Sequence, residues 1–260
     1  MKERLDQLLC ERGLAKSRQR AQSLILSGVV RVEGRRVDKP GTRISPEKKL
    51  EVLAPDHPFV GRGGVKLAAA LRRFGIQTQG FTCIDVGAST GGFTDCLLQN
   101  GAERVIAVDV GRGQLDWKLR NDPRVTVIER CNARYLTRET VPHRLDLATV
   151  DVSFISLRMI LPPLLTLQLQ GPILALVKPQ FELRRGEVGR GGVVRDPALQ
   201  ARTVREIAEF AGGIGLGVEG VVESPITGAE GNREFFLHLS PHARDKDIFR
   251  KGLEEIFDET

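Results

Sequence analysis

The residues best placed to do chemistry in this chain stand at the ends of short apolar runs. Asp109 closes Val105–Val108, Asn132 comes shortly after Val125–Ile128, Asp151 closes Leu145–Val150, and Lys178 closes Ile173–Val177. A fifth, Asp85, lies in Cys83-Ile84-Asp85-Val86, which runs straight into Gly87-Ala88-Ser89-Thr90-Gly91-Gly92-Phe93. If the runs are strands of a doubly wound sheet, all five residues converge on one crevice, because such sheets bind ligands outside their carboxyl ends. A strand, glycine turn and helix in that order lets backbone approach a cofactor closely, since a Cβ would block the approach and forbid positive φ. A carboxylate at the tip of the second strand, Asp109, is placed for ribose hydroxyls. A lysine in such a crevice can hold or move a proton.

The elements that must position these residues alternate as a doubly wound fold requires. A helix reads from Lys66 through Leu67, Ala70, Leu71 and Phe74 and stops at Gly75. That puts Lys66 in a first turn, where a cation opposes the helix dipole and asks for a functional reason. After Lys178, the stretch Glu182–Asp196 holds Arg184, Arg185, Arg190 and Arg195 among four glycines. It reads as a flexible basic lid able to touch substrate phosphates. A helix from Pro197, a strand Val218–Glu223, a loop through Asn232, a last antiparallel strand Glu234–Leu239 and a helix Arg244–Phe257 complete the pattern. The expected fold is α/β, a Rossmann-like, mostly parallel sheet over residues 65–260, entered through a Pro-rich linker at 55–64.

The first quarter differs in charge. Residues 1–60 hold 13 Lys and Arg against 8 Asp and Glu, whereas the other 200 hold 26 against 25. A basic unit beside a neutral one is expected to face phosphates. Leu5, Leu8 and Leu9 mark one helix, Ser17 caps a second over Arg18–Ser27, and Val29–Val32, Arg36-Val37 and Leu50–Leu53 read as strands. Together these predict a small α+β domain over residues 1–54.

Composition excludes other classes. No apolar run is long enough to span a bilayer, and the start MKERLDQLL is not that of a signal peptide, so a cytoplasmic protein is expected. Cys10, Cys83, Cys96 and Cys131 are scattered without a CxxC pair, and the four histidines do not cluster. Neither a disulfide framework nor a metal site is expected. A monomer is the default.

Two resemblances sharpen this reading. RLDQLLCERGLAKSRQRAQSLILSGVVRVEGRRVDKPGTRI resembles the RNA-binding module first known in ribosomal small-subunit protein S-four. It shares the Ser17-Arg18 helix start, the Gly28-x-Val30-x-Val32-x-Gly34 hairpin and Lys39-Pro40-Gly41. That resemblance implies RNA contacts at Arg4, Lys16, Ser17, Arg18 and Arg20, reading shape and phosphates. The larger domain resembles the S-adenosylmethionine-dependent methyltransferases, and DVGASTGGFT is closer to their first motif than to a dinucleotide fingerprint. It looks like the ribose 2′-O-methylating, FtsJ-like branch, whose Lys-Asp-Lys-Glu tetrad falls on Lys66, Asp151, Lys178 and Glu234. The two domains together resemble the TlyA (haemolysin A) family of ribosomal RNA methyltransferases. Gly61 departs from a serine common in that family's linker.

The resemblance implies S-adenosylmethionine along Gly87, Ala88, Ser89, Thr90, Gly91, Gly92 and Phe93. Its ribose is expected on Asp109, its adenine near Asn132, and its sulfonium near Asp85 and Asp151. It further implies a cytidine 2′-hydroxyl in ribosomal RNA as acceptor, presented on free RNA or a ribosomal subunit, with Arg184, Arg185 and Arg190 touching the RNA. Lys178 serves as base or hydroxyl-positioning group. Burial and Lys66 are expected to lower its pKa from ~10.4. Asp151 opposes that shift and orients the amine. Three other readings stand beside this one: a non-catalytic ribosome-assembly factor, a membrane-active haemolysin, and a pseudouridine synthase, whose catalytic aspartate motif has no counterpart here.

Overall fold

The computed structural model describes residues 2–257 apart from Lys16, Ser27, 54–56, Arg185, Arg190, 229–230 and 242–245. The expected RNA contacts Lys16, Arg185 and Arg190 therefore lie outside the described residues. The amino-terminal unit runs β1 (Glu3–Arg4), α1 (Leu5–Glu11), α2 (Arg18–Leu26), β2 (Val30–Val32), β3 (Arg35–Arg36), β4 (Arg43–Ile44) and β5 (Leu50–Val52). Strand β2 lies between β3 and β5, antiparallel to both, while β1 pairs with β4. Leu5, Leu8 and Leu9, spaced along one helical face, bury against Ala21, Ile25, Val30, Val32 and Leu50. Pairs as short as β1 and β4 carry no readable period, and the sequence reading has no counterpart for them. Ser17 caps α2, its hydroxyl accepting the Arg20 N–H at 3.1 Å.

The larger unit contains α3 (Gly63–Phe74), β6 (Thr82–Val86), α4 (Gly92–Gln99), β7 (Arg104–Val108), α5 (Trp117–Arg120), β8 (Val125–Ile128), β9 (Arg144–Leu145) and β10 (Leu147–Val150). It continues with α6 (Leu161–Leu165), β11 (Gln168–Leu169), β12 (Ile173–Val177), α7 (Pro179–Glu182), α8 (Pro197–Gly213), β13 (Gly217–Glu223), β14 (Phe235–Ser240) and α9 (Lys246–Phe257). Seven strands form one sheet in the order β13-β14-β12-β10-β6-β7-β8. All are parallel except β14, which runs antiparallel to both β12 and β13. Side chains alternate across it: Ile84, Val86, Ile106 and Val108 join the core beneath α8, while Cys83, Val105 and Ala107 join the core beneath α3 and α4. Strand order reverses between β6 and β10, and that switch point is where such a sheet opens a crevice.

Three expectations change. Helix α3 begins at Gly63, not Lys66, because the glycine pair belongs inside it. A Cβ on Gly64 would lie 2.2 Å from Phe59 Cγ, and one on Gly63 would lie 3.1 Å from the Phe93 ring. Lys66 remains in the first turn. The expected fourth strand, Leu145–Val150, breaks at Asp146, whose N–H donates to the Thr82 carbonyl at 2.8 Å while its carboxylate accepts the Thr82 N–H at 2.9 Å. Strand β9 then pairs with β11 rather than joining the main sheet. The basic loop is not a free lid throughout. Buried Asn232 accepts the Val194 N–H and donates to the Gly192 carbonyl, each at 2.8 Å, fastening the loop's second half.

In the amino-terminal unit one buried carboxylate organises the basic face. Asp6 is fully buried and accepts two hydrogen bonds from Arg4, at 2.9 and 3.0 Å, one from Arg18 at 3.0 Å and one from Gln22 at 2.9 Å. Burial pushes its carboxyl up, but these donors reverse that and hold it well below the usual range. A carboxylate depressed on folding contributes stability above its unfolded value of about 3.9, and this is lost as pH falls. Asp6→Asn should therefore destabilise this unit by about 1–3 kcal/mol at pH 7. The difference, followed by urea unfolding, should shrink as pH drops below about 4.

Candidate active site

Four charged side chains meet at the carboxyl end of the sheet, each delivered by a different element. Lys66 comes from the first turn of α3, Asp151 from the end of β10, Lys178 from the end of β12 and Glu234 from the residue before β14. The antiparallel pairing of Val177 with Phe235 sets Glu234 across from Lys178. This is why an antiparallel strand matters here: it brings the start of one strand to a rim otherwise made of strand ends. Lys66 Nζ lies 2.5 Å from Glu234 Oε2, and Lys178 Nζ lies 2.5 Å from Asp151 Oδ1. Lys178 also donates to Ser153 Oγ at 3.0 Å. Burial pushes the Asp151 carboxyl up, yet Lys178 and Lys66 together hold it below the ordinary aspartate value.

The loop between Asp151 and α6 is locked to α7 by Glu182. Its carboxylate accepts the Ser156 hydroxyl at 2.5 Å and the Leu157 N–H at 2.8 Å, so Asp151 and Lys178 are braced from behind. Within this loop Phe154 has φ of 63° and is 91% exposed, with its ring centroid 4.9 Å from that of Phe181. Three residues after Asp151, an apolar ring is thus held out into solvent on left-handed backbone with a flat face uncovered. Neither Ser153 nor Phe154 was singled out from sequence, where SFIS reads only as the continuation of a strand end.

The glycine turn forms the floor of the crevice. Gly87 has φ of 88°, and a Cβ there would lie 2.4 Å from the Asp151 carbonyl oxygen. Two cavities flank the turn and share Ala88 and Ser89. One contains Ala107, Leu115 and Val127 with Asp109 and Glu129. The other, of about 170 Å³, contains Lys66, Asp151, Gly87, Thr90, Gly92 and Phe93. Asp109 accepts the Ser89 N–H at 2.7 Å and the Gly111 N–H at 2.6 Å, which fixes its orientation and leaves lone pairs for hydroxyl donors. Asp109 thus presents acceptor lone pairs at one space, and Lys66 and Asp151 present charges at the other.

Other expected positions lie elsewhere. Asp85 is fully buried beneath the turn and accepts from Thr94 Oγ1 at 2.7 Å and Thr149 Oγ1 at 3.2 Å, away from both cavity linings. Gly91 is likewise outside both linings, turned toward Leu115 and Leu119. Asn132 caps a 3₁₀ turn, its side chain accepting the Arg134 N–H at 3.1 Å, and lines neither cavity. Arg4 and Arg18 are tied to Asp6, and Arg20 to Asp116 of the larger unit, although all three keep exposed surface. Ser17 is spent on its cap, and Arg184 is exposed. Among the described residues no three His, Cys, Asp or Glu converge as a metal set, and no helix is long and apolar enough to cross a membrane.

A glycine turn at the switch point of a seven-stranded sheet whose β14 runs antiparallel is the methyltransferase version of the doubly wound fold. The chain belongs to the FtsJ-like methyltransferase family, which it matches over residues 59–240, and it carries an S4 domain over residues 3–50. It is 49% identical over 254 residues to the 16S/23S rRNA (cytidine-2′-O)-methyltransferase TlyA of Mycobacterium tuberculosis, covering 97% of this chain and 94% of that one. It is 40% identical to Hemolysin A of Brachyspira hyodysenteriae, over 91% and 99% of the two chains. A solved hemolysin candidate from Streptococcus thermophilus superposes with a TM-score of 0.77 at 41% identity, covering 99% of this chain and 95% of that chain.

Buried Asp85 generates a pH dependence. Burial pushes its carboxyl up to about 7, against the pull of the Thr94 and Thr149 hydroxyls. Its folded value exceeds the unfolded value of about 3.9, so folding is favoured most below that value and weakens as pH rises toward 7. Asp85→Asn should match wild type in melting temperature near pH 4 and exceed it at pH 8, as read by thermal melts.

Proposed function

We propose that this protein transfers a methyl group from S-adenosylmethionine to a ribose 2′-hydroxyl of ribosomal RNA, with cytidine as the acceptor nucleoside. The observation that carries the reading is the pair of short ion pairs, Lys178–Asp151 and Lys66–Glu234, beside the glycine turn. The name of the Mycobacterium tuberculosis relative supports the choice of acceptor. The S4 domain supports RNA as the partner, and a ribosomal substrate is in keeping with a cytoplasmic activity.

S-adenosylmethionine, when bound, supplies an activated methyl group, so the residues here have alignment and one proton to manage. Gly87–Thr90 and Asp109 would hold it, with its ribose on Asp109. Lys178 holds the 2′-hydroxyl in line and, once it has released its own proton, would accept the hydroxyl's as the oxygen–carbon bond forms and the methyl–sulfur bond breaks. Asp151 orients that amine and offsets the ammonium charge that results. Lys66 and Glu234 close the network on the other side and keep the charge sum balanced. Phe154 offers its exposed face to the base of an unpaired nucleotide, holding the ribose over the tetrad.

Radiolabelled methyl transfer to purified ribosomal subunits and to free ribosomal RNA tests this directly. Wild type should place label at an alkali-resistant linkage, and Lys178→Ala should lower turnover by about 10²-fold or more. A Lys178→Ala protein with full turnover at saturating substrate would remove Lys178 from the chemistry. Label absent from every RNA, with cofactor still bound, would favour the assembly-factor reading. Phe154→Ala should raise the KM for RNA about tenfold with a smaller effect on kcat, since one base–aromatic stack contributes about 1–3 kcal/mol.

A further inference from the structure

The larger cavity is not walled by the methyltransferase domain alone. Leu26, from the last turn of α2, and Arg36, from β3, line it together with Arg62, Lys66, the glycine turn and Asp151. Both Leu26 and Arg36 belong to the amino-terminal unit. The Arg36 guanidinium lies flat against the backbone of Gly28, where a Cβ would come within 2.8 Å of Cζ, so a side chain at position 28 would displace it. Its ion pair to Asp38 is long at 3.3 Å, and among the described residues its buried Nε has no hydrogen-bond partner. An arginine seated on the chain in a cavity wall, with only a long ion pair to a neighbouring carboxylate, keeps guanidinium N–H donors for a further acceptor.

The composition of the cavity narrows the acceptor. A simple anion such as a phosphate would suit Arg36, Arg62 and Lys66 but would confront the ionised Asp151 in the same lining. A zwitterion satisfies both signs. The neighbouring cavity, sharing Ala88 and Ser89, offers apolar walls and Asp109, which suits the nucleoside half of the cofactor. The amino-acid half then falls in the cavity that Arg36 lines.

We infer that Arg36 of the RNA-binding unit binds the α-carboxylate of S-adenosylmethionine, so that the cofactor site of this chain is completed by its other domain. The inference rests on the crevice being a cofactor site, as proposed above. Arg36 takes no part in the methyl transfer itself; it is a cofactor-binding residue supplied from outside the catalytic fold.

Calorimetric titration of the full chain with two cofactor analogues tests it. S-adenosylhomocysteine carries the amino-acid end, whereas 5′-methylthioadenosine lacks it. Arg36→Ala should weaken S-adenosylhomocysteine binding about tenfold and leave 5′-methylthioadenosine within about twofold of wild type, the loss expected for one charge-assisted hydrogen bond. Arg36→Lys, which keeps the charge but not the fork, should fall between. Unchanged S-adenosylhomocysteine binding overturns the inference, and so does equal weakening of both analogues. A raised KM for RNA with cofactor affinity intact also overturns it and assigns Arg36 to the nucleic acid. Wild type that binds neither analogue fails at the earlier step, the cofactor reading of the crevice.

Discussion

Four buried or nearly buried charges govern how the catalytic half of this protein can be built. Lys66, Lys178 and Glu234 are each less than a tenth exposed, and the Asp151 side chain only a fifth. A lone charge so placed is costly, and removing one partner of such a pair strands the other. The pairs form only if the starts of α3 and β14 lie level with the ends of β10 and β12, which fixes the register of three strands and the position of one helix at once. The registers Val150 with Ala175 and Val177 with Phe235 meet that condition. Seen this way, the antiparallel strand is a requirement of the charge arrangement: Glu234 precedes its strand, and only a reversed strand begins at this rim.

A second constraint is contact between backbones. Gly92, at the start of α4, packs where a Cβ would come within 2.9 Å of Gly64 N, and a Cβ on Gly61 would come within 2.7 Å of Thr90 Oγ1. The Val60 N–H donates to Asp95 at 2.8 Å. The segment entering the catalytic domain is thus laid directly on the helix that follows the glycine turn. A serine at position 61 would place its Cβ against Thr90, and glycine there allows the closest approach of the two segments.

Much of this architecture was legible in the sequence because parallel strands buried on both faces read as unbroken apolar runs. Ile173–Val177, buried throughout, ends in the structure where its run ends, and so does the half-buried edge strand Val125–Ile128. The tetrad was legible only through resemblance, since nothing local announces that Lys66 and Glu234, 168 positions apart, will touch. What the sequence concealed is how polar groups choose partners. Asp146 breaks a strand by bonding to Thr82, Asn232 pins a loop that composition marks as free, and Asn132 spends itself on a cap. Arg4, Arg18 and Arg20 are expected RNA contacts, and each also meets a carboxylate, Asp6 for the first two and Asp116 for the third. A basic residue count does not reveal which charges are already answered.

The bond between Arg20 and Asp116 bears on how such proteins could be recombined. Asp116 accepts Arg20 with its side chain, caps α5 toward Lys118, and donates its own N–H to the Thr90 carbonyl at 3.1 Å within the glycine turn. One residue therefore belongs to the domain boundary and to the catalytic floor together. A different RNA-binding domain grafted onto this catalytic half would have to bring a cation to the position of Arg20, or leave a carboxylate that is 7% exposed without the cation it meets here. The two halves are joined like a key cut to its own lock, and the unit that can be transplanted is the pair.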